Sequence, residues 1–154
     1  MKSKNNYVIR QSGQIFGVLI ILIALLGVGL WMLFAYRSST QKEGGEFGNE
    51  AIQKLAVQHD PAFLASRLGP QARLDFPPSA QQDLISRLQQ LGTPVGPIDV
   101  KGNVTFQSQF FEPRGFFSAH ANYPTRGARI EVGTSHPVGR WQIDTLTLTL
   151  DPER

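Results

Sequence analysis

His120, Tyr123 and Asp144 are the residues whose types could do acid–base chemistry together: an imidazole, a phenol and a carboxylate on segments that neighbouring strands could bring into one cleft. Asp144 sits in an otherwise apolar strand, where desolvation would raise its pKa toward that of a working base. A carboxylate there also marks a β-bulge or a sheet rim, which is the preferred reading. His59 and His136 lack the paired spacing of a metal site, so no metal is expected. Ser and Asp residues occur without a nucleophile elbow, and no Gly-rich phosphate loop follows a strand. With no cysteine in the chain, disulfides, thiolate catalysis and thiolate metal sites are excluded. No catalytic residue and no cofactor is assigned, and the chain is expected not to be an enzyme.

The aromatic residues offer a different kind of site. Phe106, Phe110, Phe111, Phe116, Phe117 and Trp141 alternate mostly as core residues do, but Phe110-Phe111 and Phe116-Phe117 are doublets. Adjacent side chains of a flat strand point to opposite faces, so one Phe of each pair must leave the covered side. Together with Arg114 they would put apolar surface around Glu112–Gly115, a contact for a protein partner or for the membrane surface.

These residues must be positioned by something, and the dominant element is Phe16 to Tyr36, FGVLIILIALLGVGLWMLFAY, which has no charged residue. As a helix of ~1.5 Å per residue it would be about 31 Å long, the thickness of a bilayer's hydrocarbon layer. A cleaved signal peptide has a shorter apolar core and ends at small residues, whereas this run ends in Trp31, Phe34, Tyr36 and Arg37. It is therefore expected to stay in the bilayer. Residues 1–15 carry Lys2, Lys4 and Arg10 and no acid, which places the N-terminus in the cytoplasm and the rest outside by the positive-inside rule. Gly13, Gly17 and Ala24 lie on one face, a stripe along which another membrane helix could approach.

The formal net charge of +3 is carried by that tail. The remaining 12 of 15 basic residues face all 12 acidic ones, so the part beyond the membrane is formally neutral and lacks the basic footprint of a nucleic-acid binder. Its length suits one compact core. Residues 37–48, RSSTQKEGGEFG, are polar and glycine-containing and read as a flexible tether to a domain over 49–154.

In that domain Ile52, Leu55 and Ala56 share a helical face, and Asp60-Pro61 is a helix-start signal leading into Phe63, Leu64 and Leu68, which gives two short helices or one helix with a break at Asp60. Ser79 with Gln82 reads as a capping box before Leu84, Ile85, Leu88 and Leu91, with Gly92 as the C-terminal cap. From Ile98 the period becomes two, giving four strands with turn signals at Glu112–Gly115, Tyr123–Gly127 and His136–Gly139. In the last strand Trp141 and Ile143 have one parity and Leu146, Leu148 and Leu150 the other. One extra residue near Asp144 or Thr145 would return both sets to one face; the alternative is a strand buried on both faces. The expected fold is α+β: one N-terminal transmembrane helix, then helices packed on a four-stranded antiparallel meander.

The helices before the sheet, the Leu-rich helix ending at Gly92 and the closing Gly139-Arg140-Trp141-Gln142-Ile143 strand resemble the NTF2-like, or cystatin-like, superfamily over roughly residues 49–151. The resemblance implies a cone-shaped domain whose pocket serves catalysis in some members and partner binding in others. A second, weaker resemblance is to bacterial relatives of the cytochrome oxidase assembly factor Coa-one, carried by Leu91-Gly92-Thr93-Pro94, Gly102-Asn103-Val104 and Trp141. The expected function is that of a single-pass accessory or assembly subunit, in the inner or plasma membrane, whose periplasmic or extracellular domain binds a larger membrane protein complex. A pocket enzyme or a small-ligand sensor is the alternative.

Overall fold

Hydrophobic periodicity sets the elements of the computed structural model, which describes residues 7–137 and 139–152, with side chains described from residue 15 onward. Helix α1 runs Tyr7–Ala56, α2 Pro61–Arg67, α3 Pro70–Asp75 and α4 Pro78–Leu91; strands β1 Val100–Phe106, β2 Pro113–Asn122, β3 Gly127–Ser135 and β4 Gln142–Leu150 follow. The chain forms two compact units, divided between Ser38 and Ser39.

In the first unit α1 is long and apolar enough to cross a membrane, its most apolar 18-residue window having a mean hydropathy of 2.8. The large apolar side chains from Ile15 to Leu30 are half or more exposed, a surface suited to lipid and not to water. The basic residues Lys2 and Lys4 lie outside the described residues, as do the side chains of Arg10 and Gly13.

The second unit begins inside α1, which corrects the expected tether: residues 37–48 are helical. Thr40, Gly44, Phe47, Gly48, Ala51, Ile52, Leu55 and Ala56 are all buried and recur at helical spacing. The glycines are contact positions. A Cβ on Gly44 would come within 2.5 Å of the Trp141 ring and 2.6 Å of Val104, and one on Gly48 would collide with the Phe117 ring. Backbone and aromatic ring therefore pack directly, at a helical position where glycine would otherwise cost about 1 kcal/mol.

His59, at φ 52°, takes the chain out of α1, and Asp60 caps α2 by accepting a hydrogen bond from the Phe63 amide at 3.0 Å. The capping box at Ser79 does not form. Pro78 occupies the first helical position of α4, where its missing N–H costs nothing, so Ser79 already lies inside the first turn. The Gln81 side-chain amide instead donates to the Phe76 carbonyl at 2.8 Å. Ile85, Leu88 and Leu91 are buried as the period requires, and Gly92 at φ 86° closes the helix in a conformation that favours glycine.

The four strands form an antiparallel meander in the order β1-β2-β3-β4. Helices cover one face, over Phe117, Ala119, Ala121, Ala128, Ile130 and Val132, and the alternate residues of β2 and β3 stay largely wet. The β1–β2 turn is displaced from Glu112–Gly115. Ser108 and Phe111 exchange backbone hydrogen bonds of 3.4 and 3.2 Å, Glu112 takes φ 56°, and Pro113 is the first residue of β2, where the ladder tolerates a missing donor.

The phase error in β4 is resolved by a bulge. Thr145 faces Gly133 and Ile143 faces Thr134, leaving Asp144 as the extra residue; Trp141, Ile143 and Leu146 are all buried. Deleting Asp144 should therefore heal the strand into plain alternation and shift Tm by only a few degrees. Deleting Thr147 turns Leu148 and Leu150 outward, costs about 2 kcal/mol and lowers Tm by roughly 10 °C. Thermal unfolding of the two deletion variants compares them directly.

Candidate functional site

The strand register separates His120, Tyr123 and Asp144. His120 is on the outer face of β2, opposite Arg129, which in turn faces Thr149. Its Nε2 lies 2.8 Å from Asp151 Oδ2, an exposed pair at the sheet's end. Asp144 is five positions along β4 from Thr149, roughly 17 Å of strand, and its Oδ1 accepts from the Gln142 side-chain amide at 3.0 Å. Tyr123 is on the other side: it is 5% exposed and its hydroxyl donates to the Ala56 carbonyl at 3.1 Å. The three do not form a cleft.

Tyr123 acts as a strut between the sheet and α1. Burial pushes its pKa up to about 12 from the ordinary 10. Between those values the unfolded chain loses the phenolic proton and the folded chain keeps it, so stability falls as pH rises from about 10 to about 12. Tyr123→Phe should cost about 1 kcal/mol at neutral pH by leaving the Ala56 carbonyl unpaired, and should flatten the alkaline loss. Urea melts at pH 8 and pH 11 measure both effects.

The outer face of the sheet holds the better site. Asn103, Phe116, Gly133 and Thr145 form one row across the four strands, and Thr105 and Arg114 face each other in the next. Because Gly133 has no side chain, a groove of about 250 Å³ opens between Phe116 and Thr145, with Arg114 and Asp144 also on its wall. It is a shallow mixed surface, suited to contact and not to enclosing a substrate. Phe116 is 55% exposed beside it, and Phe111, at the β1–β2 turn, is 61% exposed.

Each doublet has one exposed member, by strand alternation for Phe116-Phe117 and by the fold of the turn for Phe110-Phe111, which lies outside the strands, and their assignment corrects the expected patch. Phe117 is 3% exposed, packed against Gly48 in the core, and Phe110 is half-buried. Phe111, Arg114 and Phe116 are the exposed part. Asn103, Thr105 and Thr145 were missed; their outward parity on polar positions of the strands was the signal. On α1, Ala24 is exposed, and a Cβ on Gly17 would meet open space. Among the described residues no group of three or more His, Cys, Asp or Glu is arranged to hold a metal ion.

Comparison with known proteins gives no match to a family model, a curated protein or a solved structure.

Proposed function

We propose that this protein is a single-pass membrane-anchored accessory or assembly subunit. The apolar part of α1 crosses the inner or plasma membrane with its basic N-terminal segment in the cytoplasm. The globular unit lies on the periplasmic or extracellular side, where it binds or steadies a larger membrane protein complex. The observation that carries this reading is the pairing of an unburied apolar helix with a folded unit whose exposed aromatics lie on a shallow surface. Anchoring raises the local concentration of such a surface beside membrane partners, so weak contacts become effective. The order of helices before a four-stranded meander keeps the NTF2-like resemblance as part of the proposal.

A pocket enzyme of that kind would need open space on the inner face of the sheet. The middle of that face is packed by Phe47, Leu55, Leu64, Leu88 and Trp141, the space left along its β4 edge is an open cleft beside Leu148 and Leu150, and Tyr123 is spent on a backbone carbonyl, which favours the accessory role. The test is native electrophoresis of membranes solubilised in mild detergent. A complex subunit co-migrates with larger membrane proteins and shifts to lower mass on Phe116→Ser. Migration as the free chain from its native membrane contradicts the proposal.

A further inference from the structure

The β1–β2 turn has an exposed aromatic residue with no role in the core, and the path of α1 through the globular unit says what it meets. The Gln41 side-chain amide donates to the Val104 carbonyl at 3.5 Å, Gly44 abuts Val104 and Trp141, Gly48 abuts Phe117, and Tyr123 reaches Ala56. Residues 39–56 therefore run along the sheet from the β1–β2 turn toward the β2–β3 turn. The chain enters the globular unit at the end that bears Phe111.

Chain reach then limits how far that end can be from lipid. Thr40, the first buried residue of the unit, is four residues beyond Tyr36, the last of the apolar run. Four residues span about 6 Å as helix and at most ~14 Å fully extended, against a headgroup layer of roughly 5–8 Å. β1 continues two residues past Val104 to Phe106, roughly 7 Å of strand, and the turn through Ser108–Phe111 lies beyond it, on the side from which the chain comes. The bound on Thr40 follows from covalent reach alone.

We infer that the β1–β2 turn, with the exposed Phe111 beside its tip, is a second membrane contact that seats in the headgroup–acyl boundary of the bilayer crossed by α1. The inference rests on the proposed anchoring. An aromatic ring suits that boundary, and Arg114, exposed behind it on β2, can reach lipid phosphates. The backbone hydrogen bonds between Ser108 and Phe111 and between Gln107 and Glu112 close the turn with Phe111 exposed, so little ordering is needed on contact.

Because the chain contains no cysteine, single-cysteine variants of the full-length protein give clean reporters. Leu22→Cys, Gln109→Cys and Thr125→Cys would be labelled with an environment-sensitive fluorophore in phosphatidylcholine/phosphatidylglycerol vesicles containing lipids spin-labelled near the headgroup and at the chain end. Leu22 reports the apolar helix, Gln109 the turn and Thr125 the opposite end of the sheet. The expected result is quenching at Leu22 and Gln109, the latter to roughly half intensity, with Thr125 unchanged. Quenching at Leu22 alone overturns the inference, leaving the anchor intact and the turn to a protein partner. An unquenched Leu22 overturns the anchor and the inference together.

Discussion

Replacing Gly44 or Gly48 by alanine should destabilise the globular unit, and the same change at Gly45 should stabilise it. All three glycines lie in α1, where alanine gains about 1 kcal/mol of helix propensity. At Gly45 nothing lies within 4 Å of the added methyl, so that gain is realised. At Gly44 the methyl meets the Trp141 ring and Val104, and at Gly48 the Phe117 ring, none of which can swing aside in a close-packed core. Overpacking of about 3 kcal/mol outweighs the propensity and leaves a net loss of about 2 kcal/mol at either site. Denaturant melts of the three variants should show opposite signs. A flexible segment would give three equal, small effects.

Phe117→Ala and Phe116→Ala, neighbours of identical composition, should differ by several kcal/mol. Phe117 is buried between β2 and Gly48, and its truncation leaves a cavity worth about 3–5 kcal/mol. Phe116, on the wet face, should change stability by under about 1 kcal/mol. Partner-binding experiments therefore belong on Phe116: a variant at Phe117 would lose its partners by unfolding.

The contrast between these residues shows what the sequence could and could not reveal. Period-two alternation exposes the four strands and an extra residue near Asp144 or Thr145, because burial on one face fixes parity; only the register with β3 singles out Asp144. Parity also separates His120 from Tyr123, since the inward series of β2 is Phe117, Ala119 and Ala121 and continues to Tyr123. Their apparent grouping came from counting residue types without faces. Residues 37–48 read locally as a tether because they are polar and contain three glycines, whereas Thr40, Gly44, Phe47 and Gly48 continue the buried spacing of Ala51, Ile52 and Leu55. Glycine there reflects the nearness of an aromatic ring, a tertiary fact with no local signature. The turn signal at Pro113-Arg114-Gly115 misled for a related reason. Proline at a strand's first residue and proline in a turn look alike until the partner strand is known.

The most direct measurement is labelling of Thr125→Cys with a membrane-impermeant maleimide in intact cells. An anchored chain with its globular unit outside predicts labelling from the exterior, or from the periplasm once an outer membrane is made permeable, without breaching the inner membrane. Labelling that appears only after the inner or plasma membrane is opened would place the globular unit in the cytoplasm and contradict the account.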